Sequence, residues 1–509
     1  NPAALKTNTK YVKPNAVVII DTDSFQKNDL EKAAFLTEDP FKELNMNSVQ
    51  VVPVAITSLV KDSLADSGLD NKTILRCKNM FALGLICWLF DRPLDQAAHL
   101  LKNKFAKKPS VLEANIKVMT DGYNYGNNIH ASVSTYRIET KSAKKGFYTD
   151  VNGNRATALG LIAASEKSGL PLFLGSYPIT PASDIAGICT AIGASFAGNL
   201  AATSTSGPGL ALKSEAIGLA VMAELPLVII DVQRGGPSTG LPTKSEQTDL
   251  LQALYGRNGE SPVVVLAAST PTNCFDMAFA ASKIALEHMT PVILLTDAFI
   301  ANGSSAWRIP EMEEYPEIHP QYVYNDLLKD NWKPYKRNPE TNVRYWAIPG
   351  TEGFMHRLGG LEKDCITSAI STDPANHQKM TDMRQAKIDY IANEIPELEI
   401  LGNPEADLLV VGWGGTYGHL YSAVESMNAI GKKVAMVHFN YINPMPKNTE
   451  EILRRYKKVV VCELNNGQFA TQLCAKIPGL TNVSRFNKVQ GQPFMVSELT
   501  DHFSKLMEE

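Results

Sequence analysis

The chain has 509 residues, of which 44% are hydrophobic and 20% are charged, and its formal net charge is −4. That length supports several packed domains. The sequence contains no basic stretch interleaved with aromatic residues, and its longest apolar run, 80–90, is too short to span a bilayer. We therefore expect neither a nucleic-acid partner nor a membrane partner.

The first predicted domain covers 1–146 and alternates strands with helices, a pattern typical of a parallel sheet. Its predicted strands are 16–21 and 49–55, and its predicted helices are 79–90, 93–105 and 110–122. A domain of this kind opens with a strand and a glycine-rich turn, which this sequence lacks, so we expect the chain to begin inside the domain. Residues 123–126 and 141–145 are the predicted linker out of it.

The second predicted domain, 147–395, has the pattern of a doubly wound sheet. Its predicted strands are 171–175, 200–204, 226–231, 262–267 and 291–297; its predicted helices are 156–168 with Asn154 as the cap, one after Pro181, 210–223 and 274–288. Between 307 and 354 the periodicity disappears among Pro, Tyr, Trp, Asn and charged residues. An irregular segment of this length is usually functional or interfacial.

The third predicted domain, 400–509, is a smaller α/β unit. Its predicted strands are 407–412, 433–438 and 458–462, and its predicted helices are 417–430 and 448–456. Two polar loops at strand ends, 463–468 and 487–493, favour contact with another subunit.

A glycine-rich turn at 412–418 follows a predicted strand and opens a predicted helix. A dinucleotide-binding turn needs glycine where this sequence has Tyr417. We therefore expect these glycines to serve the packing of the turn rather than a nucleotide.

The seven cysteines are scattered without C-x-x-C spacing, mostly among apolar residues. This pattern predicts structural thiols and a reducing compartment, the cytoplasm. An iron–sulfur cluster usually requires four closely spaced thiolates. We therefore expect that this chain alone holds no such cluster, and we assign it no metal site.

The first of three motifs is Gly-Ser-Tyr-Pro-Ile-Thr-Pro-Ala-Ser-Asp-Ile at 175–185, between a predicted strand and a predicted helix. Pro178 and Pro181 flank Thr180 and stiffen the turn, because each proline fixes its own φ. The turn presents Thr180 at the carboxyl end of a buried strand, where open α/β sheets bind ligands. The residues alone fit a plain strand-to-helix turn equally well.

The second motif, 204–209, is a strand exit rich in hydroxyl groups and glycine. Its exposed backbone N–H groups could meet an anion, and glycine is also required by a tight turn. Both explanations remain open from the residues alone.

The third motif, 231–243, places Arg234 just past an apolar strand and before two glycines. A guanidinium in that position can bind a planar carboxylate through two parallel hydrogen bonds. A surface arginine paired with Asp231 or Asp249 is the alternative, and the residues alone leave both open. Lys244 and Ser245 follow the motif and are expected on a solvated face.

These three motifs, in this order, resemble the α subunit of a 2-oxoacid:ferredoxin oxidoreductase with a γ domain fused ahead of it, and are most similar to the 2-oxoglutarate type. The resemblance covers essentially the whole chain. It implies a γ-type α/β domain at 1–146, a doubly wound domain of the thiamine-pyrimidine-binding type at 147–395, and a domain similar to the last domain of transketolases at 400–509.

The resemblance also implies functional residues. Arg234 matches the arginine that binds the substrate 1-carboxylate, and Thr180 and Thr243 match threonines that hydrogen-bond the substrate or position it against the cofactor. Residues of the first two motifs would lie beside the thiamine pyrimidine; they are Tyr177, Pro178, Ile179, Ser206, Gly207 and Pro208. The segment 356–363 could reach the distal carboxylate of a five-carbon diacid, although an interface or ion-pair loop fits it as well.

By the same resemblance, the enzyme decarboxylates a 2-oxoacid oxidatively with coenzyme A, giving acyl-CoA and CO2. Thiamine diphosphate with Mg²⁺ would be bound mainly by a β subunit, which also carries a [4Fe–4S] cluster, and ferredoxin would accept the electrons from an (αβ)2 heterotetramer. The alternatives are specificity for pyruvate or a branched 2-oxoacid, and a catalytically silent assembly or binding subunit.

The sequence departs from the family at one place. Thiamine enzymes need a glutamate that hydrogen-bonds the pyrimidine ring, and in this family it lies on a strand–helix element after the first motif. Here Ile185 runs directly into Ala186, without the roughly twenty residues that one strand and its connections require. Glu215 is the nearest acid, but it lies inside a predicted helix, so we assign no catalytic glutamate.

Overall fold

The computed structural model describes residues 1–129, 135–137, 144–176, 183–238, 240–241 and 244–508. The chain divides into two compact units, Asn1–Lys145 and Gly146–Glu509. Both units combine helices with strands, which confirms the predicted α/β class. Among the described residues, no helix has both the length and the apolar composition needed to cross a bilayer.

The first unit pairs two parallel strands, β1 (Val17–Asp21) and β2 (Gln50–Val54). Its described helices are α1 (Pro2–Asn8), α2 (Lys27–Lys32), α3 (Pro40–Glu43), α4 (Ile56–Ser63), α5 (Asn71–Arg76), α6 (Lys78–Leu89), α7 (Asp95–Phe105) and α8 (Pro109–Ile129). Apolar side chains of β2, α4, α6 and α8 form its core, with Val54, Phe81 and Val118 fully or almost fully buried.

The predicted linker at 123–126 is wrong, because these residues lie inside α8. This helix packs along α6, and glycine allows the close approach: a Cβ at Gly122 would overlap the Phe81 backbone, and one at Gly126 would overlap the Trp88 ring. Gly126, which was assigned to the linker, and Gly122 therefore serve helix packing. Of the second predicted linker, 141–143 lie outside the described residues.

The second unit contains two larger sheets. Its strands are β3 (Tyr148–Asn152), β4 (Leu172–Leu174), β5 (Leu200–Thr205), β6 (Leu227–Gln233), β7 (Val264–Ala267), β8 (Pro291–Asp297), β9 (Ser304–Arg308), β10 (Leu401–Gly402), β11 (Leu408–Trp413), β12 (Val434–Phe439), β13 (Tyr441–Asn443), β14 (Lys458–Glu463) and β15 (Val483–Asn487). Its described helices are α9 (Gly153–Ser168), α10 (Ser183–Phe196), α11 (Gly207–Leu212), α12 (Ser214–Ala223), α13 (Leu250–Tyr255), α14 (Asn273–His288), α15 (Ala298–Asn302), α16 (Asp326–Lys329), α17 (Pro374–Tyr390), α18 (Tyr417–Ala429), α19 (Thr449–Arg455), α20 (Gln468–Lys476) and α21 (Val496–Glu508).

The central sheet has six strands in the order β13-β7-β8-β6-β5-β4, parallel except for β13 at one edge. The strands β6 and β8 lie in its middle and are almost entirely buried, as expected of a parallel sheet covered on both faces. A second sheet, in the order β10-β12-β11-β14-β15, is built from residues after 400.

The two sheets share a hydrophobic core in which the second sheet contributes Trp413, Phe439 and Val461. Strand β13 follows β12 in sequence but joins the central sheet, where Tyr441 pairs with Leu266. The residues on both sides of the predicted domain boundary at 395–400 belong to one compact unit. This boundary therefore stays a prediction.

Several predicted boundaries in this unit are wrong in detail. Asn152, not Asn154, caps α9, because the Asn152 side chain accepts the Arg155 N–H. The predicted helix 210–223 is two helices that meet at Lys213. The irregular segment 307–354 contains the end of β9 and the single turn α16, and the sequence analysis missed α17, α20, β15 and α21.

Candidate active site

Three loops leave neighbouring strands of the central sheet at their carboxyl ends, after β4, β5 and β6. The hydroxyl oxygens of Ser176 and Ser204 lie 3.0 Å apart, which joins the exits of β4 and β5. The loop after β6 begins at Arg234. The three sequence motifs therefore leave the sheet at the same edge, the edge at which open α/β sheets bind ligands.

One cavity of about 690 Å³ brings several predicted residues together: Gly207, Pro208 and Arg234 all line it. Ser206, the N-cap of α11, directly precedes Gly207 and Pro208. The other predicted site residues, Tyr177, Pro178, Ile179, Thr180 and Thr243, lie outside the described residues, so their roles stay predictions.

Arg234 is half-buried beside this cavity, and its Nε has no hydrogen-bond partner. It forms no ion pair with any residue that the structure describes, so neither of the two proposed pairings, with Asp231 or with Asp249, is present as a direct contact. A guanidinium that lines a cavity without an ion-pair partner among the described residues can bind an anionic ligand without first breaking a salt bridge.

The loop 206–208 is fixed from the side of α13. The Gln252 Nε2 donates to the Gly207 carbonyl at 3.0 Å. A Cβ on Gly207 would overlap the Asp249 carboxylate, so any larger residue would displace the loop or the carboxylate. Gly207 and Pro208 are also the first two residues of α11. Only glycine fits at 207, because the Asp249 side chain closely approaches its backbone. Gly207 itself lies at the cavity wall.

Two carboxyl groups lie close to Arg234. Asp231 is fully buried in β6, and Asp249 precedes α13, where its backbone N–H donates to the Gln233 Oε1 at 3.2 Å. Burial, and after it the charge of Asp249, raises the pKa of Asp231 well above its ordinary value. Burial, and after it the charge of Glu246, raises the pKa of Asp249 to about 6.

Residues near the end of the chain form a further wall of the Arg234 cavity. Val489 lines the cavity, and the Gly491 N–H donates to the Glu246 Oε1 at 3.2 Å. The neighbouring Gln247 binds the end of β11 and the loop after β14: its Nε2 donates to the Trp413 carbonyl at 2.7 Å, and its Oε1 accepts the Leu464 N–H at 3.0 Å. The loops at 463–468 and 487–493, for which a subunit contact was favoured, thus contact the Arg234 side of the same chain.

The segment 356–363 does not line this cavity. Its Glu362 accepts hydrogen bonds from Arg384 at 3.1 and 3.3 Å and from His377 at 2.9 Å. Of the alternatives for this segment, the ion-pair loop is the one that the structure contains.

The glycines at 412–418 serve packing, as predicted. Gly414 has a φ of +56°, and a Cβ on Gly415 would overlap the Asp297 carboxylate. The turn is therefore filled by a side chain of the same protein.

Sequence reasoning missed the wall formed by 245–249. Ser245, Glu246 and Gln247 are buried, although Ser245 was expected on a solvated face; Lys244 is exposed. A signal was available, because a run of consecutive polar residues between the third motif and α13 has no obvious helical or strand period. Glu215, in contrast, is exposed and does not line the Arg234 cavity.

The fold and site define a thiamine-diphosphate-binding class of protein. Residues 183–363 match the thiamine-diphosphate-binding domain of pyruvate flavodoxin/ferredoxin oxidoreductase. Residues 1–125 match the pyruvate ferredoxin/flavodoxin oxidoreductase family, and 406–499 match core domain II of pyruvate:ferredoxin oxidoreductase.

The chain belongs to the family of 2-oxoacid:ferredoxin oxidoreductase α subunits, as its motifs predicted, and is therefore an oxidoreductase subunit. It is 46% identical to the 2-oxoglutarate oxidoreductase subunit KorA of Mycobacterium tuberculosis, over 98% of this chain and 79% of that protein. It is 28% identical to 2-oxoacid:ferredoxin oxidoreductase 1 subunit alpha of Aeropyrum pernix, over 89% of this chain and 74% of that protein.

Among solved structures, the chain resembles 2-oxoglutarate:ferredoxin oxidoreductase from Magnetococcus marinus, whose structure holds 2-oxoglutarate, coenzyme A and succinyl-CoA. The TM-score is 0.85 at 29% identity, over 99% of this chain and 86% of that one. This agreement over nearly the whole chain confirms the predicted fold class.

The alignment with the mycobacterial subunit runs over 522 positions, although this chain supplies only 98% of its 509 residues. At about twenty positions the relative therefore has residues that this chain lacks.

Proposed function

We propose that the cavity beside Arg234 binds the 1-carboxylate of a 2-oxoacid, preferably 2-oxoglutarate, for oxidative decarboxylation with coenzyme A. The observation that carries the proposal is the guanidinium of Arg234, which lies at a cavity wall without an ion-pair partner among the described residues. The mycobacterial relative and the Magnetococcus structure, both named for 2-oxoglutarate, favour this substrate over pyruvate or a branched 2-oxoacid.

The described residues fit the pyrimidine side of thiamine diphosphate. At 206–208 only small or rigid residues border the cavity, because Gly207 and Pro208 line it and Asp249 blocks a larger residue at 207. When bound, the cofactor would supply the electron sink that allows a 2-oxoacid to lose CO2. Ser206, Gly207 and Pro208 would hold it in this chain, together with Tyr177, Pro178 and Ile179.

The chain's own residues then have separate tasks. Arg234 would hold the substrate carboxylate through two parallel hydrogen bonds, which fixes the bond to be cleaved relative to the cofactor. Thr180 and Thr243 would hydrogen-bond the substrate. The wall formed by 245–249 and the 487–493 loop would limit the access of water to the cavity, since Glu246 joins the two through the Gly491 N–H.

The remaining components are assigned to other chains. Among the described residues, no three His, Cys, Asp or Glu side chains form a group that could hold a metal ion. We assign Mg²⁺, the main contacts to the diphosphate and a [4Fe–4S] cluster to a β subunit, in an (αβ)2 heterotetramer that passes electrons to ferredoxin in the cytoplasm.

A panel of 2-oxoacids tests the substrate. The copurified complex would be assayed with 2-oxoglutarate, pyruvate and a branched 2-oxoacid, with coenzyme A and a viologen dye as electron acceptor. We expect the highest kcat/KM for 2-oxoglutarate. Equal or higher values for pyruvate would refute the substrate assignment while leaving the reaction class intact.

A second candidate is a catalytically silent assembly or binding subunit, since Ile185 runs directly into Ala186 without the element that carries the glutamate in this family. Without the glutamate that hydrogen-bonds the pyrimidine ring, the chain would keep the fold and the Arg234 cavity but lose catalysis. Insertion of the corresponding relative's segment after Ile185 tests this. Activity that appears only with the insertion supports the silent subunit, and activity of the complex without it supports the enzyme.

A further inference from the structure

Close to Arg234 lies a pair of carboxyl groups, Asp231 and Asp249, that the proposed reaction does not use. We propose that this pair binds a proton in response to the substrate, so that a carboxylate that binds at Arg234 is accompanied by proton uptake at Asp249. The inference rests on the proposed function, in which Arg234 binds the substrate carboxylate.

The geometry requires a proton on one of the two groups. Three carboxylate oxygens receive no hydrogen bond from an N–H or O–H of the described residues: both oxygens of Asp231 and Oδ2 of Asp249. Two carboxylates side by side, one fully buried and the other half-buried, would repel each other, whereas a protonated Asp231 can donate its O–H to Asp249. Asp231 is the more deeply buried group, so the proton resides on it first.

The charges around the pair determine how readily it takes up a second proton. Glu246 raises the pKa of Asp249, while Arg234 and the hydrogen bond from Asp231 lower it; with the dominant effect of burial, the pKa is about 6. On the other side, the Lys213 ammonium lowers the pKa of Asp231. Gln252 and Gly207, which complete the surroundings, are neutral.

A ligand carboxylate at Arg234 would change this balance. It would offset the positive charge that favours the Asp249 carboxylate and add a negative charge next to it, so the pKa of Asp249 would rise. By linkage, ligand binding then takes up protons, and a higher pH weakens binding. If the pKa rises from about 6 by about one unit, binding at pH 6.5 takes up about half a proton per ligand.

Isothermal titration calorimetry of the complex measures this directly. The ligand is 2-hydroxyglutarate, which keeps both carboxylates but has no 2-oxo group and so cannot be decarboxylated. Titrations at pH 6.5 in buffers of different ionisation enthalpy give the number of protons taken up. We expect about half a proton for the wild type and none for Asp249→Asn, which still binds the ligand.

Two further variants keep the test sharp. Asp276→Asn is the control, because the pKa of the Asp276 carboxyl is also raised but Asp276 does not line the cavity; it should show wild-type uptake. In Asp231→Asn the amide can still donate to Asp249, so uptake should persist. Loss of uptake in Asp231→Asn would move the responding proton from Asp249 to Asp231 and overturn the assignment.

The outcomes separate this inference from the function on which it rests. If Arg234→Ala abolishes binding while Asp249→Asn takes up as many protons as the wild type, the inference is wrong and the carboxylate site stands. If Arg234→Ala binds 2-hydroxyglutarate as tightly as the wild type, both fail. No proton uptake in the wild type also overturns the inference.

Discussion

Gly207 and Asp249 are in contact: a Cβ atom on Gly207 would overlap the Asp249 carboxylate. The contact joins the second sequence motif to the wall of the Arg234 cavity, so a change at 207 would move the proposed cofactor loop and the carboxylate together. This relationship explains why a loop that looks like an ordinary tight turn has no room for a side chain.

We therefore expect Gly207→Ala to destabilise the protein by about 1 to 3 kcal/mol, because overpacking a filled site displaces its neighbours. Thermal unfolding measures the change. Gly193→Ala is the control, since Gly193 lies in α10 with no atom near its missing Cβ and alanine favours a helix. If both variants unfold at the wild-type temperature, the contact with Asp249 does not constrain the loop.

Replacing Arg234 by alanine should remove the group that binds the substrate carboxylate. We expect kcat/KM for 2-oxoglutarate to fall by an amount equal to about 2 to 4 kcal/mol of transition-state binding, with little change in unfolding temperature. Steady-state kinetics of the copurified complex checks this. Arg155→Ala, an exposed arginine on α9, should leave the kinetics unchanged.

The buried charges around Glu224 give a prediction about stability. Glu224 is fully buried and accepts hydrogen bonds from Arg337 at 2.8 Å and from Lys387 at 2.7 Å. In Glu224→Gln both cations would lose their counter-charge in the interior, so we expect a loss of about 3 to 5 kcal/mol in the free energy of unfolding. Asp326→Asn breaks the exposed Lys329–Asp326 pair and should cost under about 1 kcal/mol.

The Glu224 carboxylate also predicts how the free energy of unfolding depends on pH. Although burial opposes ionisation, the charges of Arg337 and Lys387 lower the pKa of Glu224 to about 2, from an ordinary value of 4.5. A lowered pKa means that the stabilisation is complete above about pH 5 and is lost as the pH falls toward 2. Denaturant titrations between pH 6 and 3 should show this loss in the wild type, and a smaller one in Glu224→Gln. Equal slopes would contradict it.

The sequence predicted those elements that have a clear period. The apolar runs at 226–231 and 291–297 became β6 and β8, and the predicted helix at 274–288 became α14. The sequence could not predict that α8 continues through Gly126, because glycine that serves helix packing looks the same as glycine in a linker. Nor could it predict that β13 leaves its neighbours in sequence for the central sheet, since this depends on contacts distant in the chain.

The candidate site was predictable in part for the same reason. Arg234 and the loop at 206–208 follow strands directly, so the rule for parallel sheets brings them to one edge. Asp249 and Val489 reach the cavity only through tertiary packing: one precedes α13, and the other lies in a loop after β15. No local pattern connects them to Arg234.

A crystal structure of the complex with 2-oxoglutarate bound tests the central claim most directly. We predict that two guanidinium nitrogens of Arg234 lie about 2.7 to 3.2 Å from the oxygens of the substrate 1-carboxylate, inside the cavity lined by Gly207 and Asp249. A 1-carboxylate bound by other residues, with Arg234 more than about 6 Å away and outside hydrogen-bond range, would contradict the account.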